Sequence, residues 1–122
     1  MSWFKKKEVC PHANEDGTVE LDEGCFDDFI RSNPKVMVMF YRTTCSHSVN
    51  MIPVFAELCN DLKDKMKFCR VSTSTNMPLV RKYEVKNTPT FVIFNSGKVS
   101  ASIVGEKTKD FLRGEIERSF DQ

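Results

Sequence analysis

Six consecutive apolar residues, Val36-Met37-Val38-Met39-Phe40-Tyr41, constrain the fold more than any other stretch of the chain. Successive side chains of a strand point to opposite faces. A strand that is apolar at every position therefore buries both faces, and its sheet needs a covering layer on each side. The run follows Asn33-Pro34, a helix-ending pair, so a strand is expected over Lys35–Tyr41. The pattern then changes period. Ile52, Phe55, Leu58, Cys59 and Leu62 recur at helical spacing, which predicts a helix over about 45–62. Pro53 lies inside that helix and is expected to kink it.

The alternation continues on both sides. Thr18–Leu21 reads as a short strand, and Asp22 as the cap of a helix running to about Ser32 with Phe26, Phe29 and Ile30 on one face. Met66–Ser72 reads as a strand and Met77–Tyr83 as a short helix. Thr90–Phe94 and Val99–Val104 form a hairpin around Asn95-Ser96-Gly97. Thr108 caps a last helix whose Phe111, Leu112, Ile116 and Phe120 are expected to face inward. The order is β-α-β-α-β-α-β-β-α. It predicts an α/β fold, a mixed central β-sheet flanked by helices on both faces. Residues 1–17 are polar, contain Pro11 and Gly17, and lack sustained periodicity. They read as a flexible N-terminal extension, with residues 18–122 as one domain.

With 18 basic against 17 acidic residues, bulk charge gives no reason to expect a nucleic-acid or membrane-surface partner. The one basic run, Lys5-Lys6-Lys7, reads as a solvated tail. No apolar stretch approaches the ~20 residues of a membrane span, and the start lacks the apolar core of a secretory signal. The expectation is a cytoplasmic monomer. The five cysteines, Cys10, Cys25, Cys45, Cys59 and Cys69, are odd in number and widely spread, without Cys-x-x-Cys spacing. They read as buried or reactive thiols of a reducing compartment rather than as disulfide partners. Cys10 and His12, with Cys25 as the nearest third ligand, do not amount to a metal cluster, so no metal is expected.

Several motifs then agree with one family. Phe40-Tyr41-Arg42-Thr43-Thr44-Cys45-Ser46-His47-Ser48 resembles the strand-to-helix segment that carries Trp-Cys-Gly-Pro-Cys in thioredoxins. Pro53 matches the family's helix-kinking proline, Thr88-Pro89-Thr90 its cis-proline signature, Gly97 its hairpin glycine, and Gly105 the glycine after its last strand. The resemblance covers residues 18 to about 120 and implies the thioredoxin fold. The departures fall at the centre of the motif. Thr44 replaces the tryptophan, Ser46-His47 the Gly-Pro pair, and Ser48 the second cysteine. The family's buried acid aligns with Met39 and its partner lysine with Arg70. The chain resembles the monothiol, Cys-x-x-Ser members of the family.

Thiol exchange requires a thiolate, and a helix N-terminus supplies unpaired N–H groups and partial positive charge. Cys45 is accordingly the expected nucleophile. His47 either aids it as a proton relay or is an exposed residue in place of a proline. The Ser48 hydroxyl, one turn on, is placed to donate to the Cys45 sulfur. Arg70 is a candidate thiolate stabiliser. The resemblance implies that Thr44, Ser46, Thr88 and Pro89 line the substrate site, where a cis Pro89 turns Thr88's backbone toward the thiol to pair with an extended chain. Without a second motif cysteine, a mixed disulfide on Cys45 awaits an external thiol such as glutathione, and no bound cofactor is expected. Protein disulfides or glutathionylated proteins are the expected partners. The competing readings are a module that traps or docks a partner at the Cys45/Thr88-Pro89 groove without turnover, and a redox-silent scaffold. Cys59 and Cys69 read as buried. Cys10 reads as the most exposed remaining cysteine, on a tail that would permit it to reach Cys45 as a surrogate resolver, the lesser of its readings.

Overall fold

The computed structural model describes residues 10–120. Its elements are β1 (His12–Ala13), β2 (Val19–Glu20), α1 (Phe26–Ser32), β3 (Lys35–Tyr41), α2 (Ser46–Leu62), β4 (Lys67–Ser72), α3 (Met77–Lys82), β5 (Thr90–Asn95), β6 (Lys98–Val104) and α4 (Lys109–Phe120). The six strands form one sheet in the order β1-β2-β4-β3-β5-β6. β2, β4 and β3 run parallel, while β1, β5 and β6 are antiparallel to their neighbours. This is the mixed sheet expected from the alternating pattern, with β3 at its centre.

The apolar run of β3 does what a two-faced strand requires. Met37, Met39 and Tyr41 join Phe55, Leu58, Leu112 and Ile116 in one core, under α2 and α4. Val36, Val38 and Phe40 join Phe26, Ile30, Leu79 and Val85 in the other, under α1 and α3. Side chains of this size contribute about 1.5–3 kcal/mol each when fully buried. β3, in both cores, is the element on which the whole fold depends.

Three local expectations change. The first helix begins at Phe26 rather than beside Asp22. The Asp22 carboxylate accepts the Gly24 N–H at 2.7 Å, and its carbonyl accepts the Cys25 and Phe26 N–H groups. Asp22 thus closes a turn one step ahead of the helix. Phe111 was expected inward but is 43% exposed. Leu112 and Ile116 set the buried stripe of α4, and a residue next to Leu112 is rotated ~100° away from it. Thr108 does cap α4, its hydroxyl accepting the Phe111 N–H at 3.0 Å.

The third change concerns the stretch read as an extension. Residues 1–9 lie outside the described residues. Residues 10–17 carry β1, which pairs with β2 through His12↔Glu20 and Ala13↔Val19. Asn14 donates to the Thr18 hydroxyl and the Glu20 carboxylate, and Asp16 accepts both the N–H and the hydroxyl of buried Thr18. Gly17 closes the turn at φ +93°, a backbone region that favours glycine. A two-residue strand held by one turn leaves no periodic signature to read.

The same register corrects the reading of the cysteines. Because β1 runs antiparallel to β2, Cys10 arrives beside Asp22 and the start of α1. There it forms a disulfide with Cys25, with a Cα–Cα distance of 5.9 Å. The Asp22 N–H points at the Cys10 sulfur at 3.4 Å. Two of the five cysteines are therefore a pair rather than free thiols, and Cys10 is not a loose resolver on a tail. An Asp22 oxygen and the two sulfurs lie within 4.8 Å of one another. With the sulfurs joined to each other, they are not the thiolates a metal needs.

Candidate active site around Cys45

Cys45 is the N-cap residue of α2, in extended conformation. Two hydrogen bonds shape the loop that delivers it. The Cys45 N–H donates to the Arg42 carbonyl at 3.0 Å, and the Arg42 N–H donates to the Ser48 hydroxyl at 3.2 Å. Ser48 is fully buried and acts as an internal brace. The Cys45 carbonyl accepts the Val49 N–H, which starts the helix. The sulfur is left at the helix end, half-buried, 3.4 Å from the Thr88 carbonyl to which its S–H donates.

This setting lowers the Cys45 thiol to about pH 7. A side-chain hydrogen bond from Thr88 contributes most, then the Ser48 backbone N–H, with the Ser48 hydroxyl and the His47 N–H adding less and partial desolvation opposing them. The contact with the Thr88 carbonyl acts the other way, because a carbonyl stabilises only the protonated thiol. At pH 7 a thiol of this acidity is about half ionised, against roughly 3% for a free cysteine near 8.5. Intrinsic nucleophilicity falls with acidity, with a Brønsted slope of about 0.4–0.5, so the net gain in attack rate is roughly threefold. The larger benefit is in departure, since an acidic thiol leaves a mixed disulfide faster.

His47 sits two residues on, exposed, with Nδ1 2.8 Å from Glu106 Oε2. The Asn50 amide donates to the same oxygen at 2.9 Å. The hydrogen bond to Glu106 raises the His47 pKa, and the Cys45 charge adds a smaller push in the same direction. Asn50 and then His47 hold the Glu106 carboxyl below its ordinary range. Glu106 follows Gly105, whose N–H is tied to the Pro89 carbonyl at 2.8 Å. The Thr88–Pro89 peptide is cis, and Pro89 is buried. Cys45, His47, Ser48, Thr88 and Pro89 are thus brought together. Thr44 borders the same groove as Cys45 and His47, and Ser46 is exposed at the first turn of α2.

Arg70 goes elsewhere. Its guanidinium lies over the Tyr41 ring, 5.2 Å from the centroid, and its Nε is 3.6 Å from Glu20. That distance is a charge contact beyond hydrogen-bond reach, and Nε is buried without a hydrogen-bond partner. Tyr41 donates to the other Glu20 oxygen at 2.6 Å, and burial followed by this carboxylate pushes its hydroxyl pKa up. Arg70 is absent from the groups that set the acidity of Cys45. It serves a Glu20–Tyr41 cluster at the β2 side of the sheet. Met39, where the family's acid aligns, is fully buried among apolar side chains. Cys59 and Cys69 are buried, and burial pushes both thiols up, away from reactivity.

A sequence model of the family described as Thioredoxin matches residues 17–118. The chain belongs to the thioredoxin family. It is 33% identical over 95 residues to the chloroplastic thioredoxin Y2 of Arabidopsis thaliana, covering 77% of this chain and 57% of that protein. It is 31% identical over 103 residues to protein disulfide-isomerase 1 of Caenorhabditis elegans, covering 82% and 21%. It is 30% identical over 96 residues to the bifunctional thioredoxin reductase/thioredoxin of Mycobacterium leprae, covering 78% and 21%. The chain spans about a fifth of the last two relatives. Thioredoxin-type thiol–disulfide exchange is supported at the level of the family. Among the described residues, no helix is long and apolar enough to cross a membrane.

The sequence reading missed Glu106 and Asn50. Asn50 lies three residues after His47, the helical spacing that puts both on one face. Glu106 is 59 positions from His47, and only the β5–β6 hairpin carries it there.

Proposed function

We propose that the chain is a single-nucleophile thiol–disulfide exchange protein that acts on protein or glutathione disulfides. The observation that carries this reading is the acidified Cys45 thiol at the start of α2, combined with a buried Ser48 where a resolving cysteine would stand. The Cys45 thiolate attacks one sulfur of a disulfide R–S–S–R′, forming Cys45–S–S–R and releasing R′S⁻, which takes up a proton from water or His47. An external thiolate then attacks the R sulfur and expels Cys45 as the thiolate. The other cysteines do not compete in this scheme, since Cys59 and Cys69 are buried and Cys10 and Cys25 are joined.

The test is the rate of alkylation of Cys45 against pH, followed by mass spectrometry. The expected midpoint is near pH 7. A midpoint at the free-cysteine value of about 8.5 would sink the activated-thiol reading. Reduction of a small disulfide should depend on added glutathione, and turnover sustained by thioredoxin reductase alone would overturn the missing-resolver step.

A second reading, a module that holds its partner without turnover, is favoured by the buried Ser48, a residue without a thiol whose hydroxyl accepts the Arg42 N–H. Ser48→Cys separates the two. Exchange chemistry gains reductase-dependent turnover from the added thiol, and a docking module gains none.

A further inference from the structure

We propose that the groove beside Cys45 selects low-molecular-weight thiols and disulfides that carry carboxylates, with Arg42 and Lys86 as the cations that hold them. This rests on Cys45 being the nucleophile and names the substrate class of that same site. The groove encloses about 630 Å³, within the range of small-molecule sites. Its charged lining is Arg42, His47 and Lys86, and no aspartate or glutamate lines it. Glu106 offsets the charge of His47 from outside the groove. Arg42 and Lys86 keep their charges uncompensated, and neither forms an ion pair among the described residues.

Some cations of the chain are paired. Lys109 reaches both Glu57 and Asp61, Arg113 reaches Asp61, Lys82 reaches Asp27, and Arg31 and Arg118 each hold a carboxylate on their own helix. Others, such as Lys35 and Lys98, form no ion pair among the described residues. What sets Arg42 and Lys86 apart is their place beside Cys45 in a groove without carboxylates. Two exposed, unpaired cations flank the one acidified thiol, in a groove with Val80 and Val85 beside them. The apolar contacts suit the carbon skeleton of a small ligand, and the cations suit its carboxylates.

The step tested is Cys45–S⁻ + R–S–S–R → Cys45–S–S–R + R–S⁻, which balances in atoms and charge. Dithiodiglycolate, hydroxyethyl disulfide and cystamine supply anionic, neutral and cationic R groups. Their rates of adduct formation on the intact protein are read by mass and divided by their rates with a neutral reference thiol. At low ionic strength the anionic disulfide should exceed the cationic one by roughly tenfold, about threefold for each cation. High salt should compress the ratio to about twofold. The Arg42→Glu/Lys86→Glu double variant should invert the order, while Lys98→Glu on the hairpin should leave it unchanged. An order that follows the reference thiol alone, or one that survives the double variant, overturns the proposal. A preference seen only with a disulfide-linked acidic peptide, and not with dithiodiglycolate, overturns it in favour of a macromolecular substrate. If no disulfide reacts at Cys45 faster than at the reference thiol, the nucleophile reading itself fails, and that result is distinct from reaction without charge preference.

Discussion

The sulfur of Cys45 and the sulfurs of Cys10 and Cys25 stand at the same end of the sheet and have opposite fates. Cys45 follows the C-terminal end of β3. The pair sits at the corresponding end of β2, which runs parallel to β4 and through it to β3. Cys45 is held by donors around one sulfur, namely Thr88, the Ser48 and His47 N–H groups and the Ser48 hydroxyl. Cys10 is held by backbone pairing that carries it to a second sulfur. A helix end with spare N–H groups makes a thiolate available. A strand register that brings two thiols together removes both. One end of the sheet therefore carries both a reactive sulfur, after central β3, and a fastened pair, after β2.

The sharpest division between the two regions is loss of exchange. Cys45→Ser should abolish adduct formation with small disulfides, while a Cys10→Ser/Cys25→Ser double variant should keep it. Exchange that persists in Cys45→Ser and vanishes in the double variant would reverse the assignment and make the paired cysteines the redox centre. Stability should divide the opposite way. A disulfide closing a loop of 15 residues contributes about 3 kcal/mol in the chain-entropy view. The double variant should lose stability of that order in urea titration, with its Cys45 alkylation profile unmoved. A loss well under 1 kcal/mol would mean that β1 and its turn hold residues 10–17 without the disulfide.

What was legible in the sequence divides along the same line. Cys45 was legible because everything that places it is local, an apolar strand, a turn, and a helix whose apolar residues recur every three or four positions. β3 was legible because a run apolar at every position has few other uses. The Cys10–Cys25 pair was not legible, since it depends on a two-residue strand whose register no periodicity announces. Arg70 was matched correctly to its place on β4, but its partner was not. The resemblance pointed it toward the thiol, whereas Glu20 on a neighbouring strand, paired to it in register, draws it to Tyr41. Phe111 shows the limit of an apolar stripe, because one residue's shift around a helix decides between core and water.

Within the reactive end, the donors can be tested one at a time. Thr88→Val removes the largest contributor to the acidity of Cys45 and keeps the side chain's shape. The thiol should move up from about 7 toward the free-cysteine range, though not all the way, because the Ser48 and His47 donors remain. Alkylation against pH reads the shift directly. An unchanged midpoint would assign the acidity to the helix end and the Ser48 hydroxyl without Thr88.

The smallest effect expected is at Glu106, and it separates a positioning role from a decorative one. Glu106→Gln keeps a group that can accept from Asn50 and His47 but removes the charge that raises the His47 pKa. The His47 titration, followed by its imidazole proton resonances, should fall back toward the ordinary value near 6.5. The sign follows from the direction of the shift. A histidine with a raised pKa in the folded protein contributes its stabilisation fully below the ordinary histidine pKa, and loses it as pH rises through the raised value. Between those two pH values the wild-type imidazole is charged and the variant's is largely neutral, so any aid that His47 gives to a departing thiolate is lost there first. The alkylation midpoint of Cys45 should hardly move, because the nearest donors to the sulfur are Thr88, Ser48 and the His47 backbone. Exchange rates that fall only inside that window mark His47 as the proton carrier. Rates unchanged at every pH leave it a surface residue whose ion pair with Glu106 merely joins the start of α2 to the loop after β6.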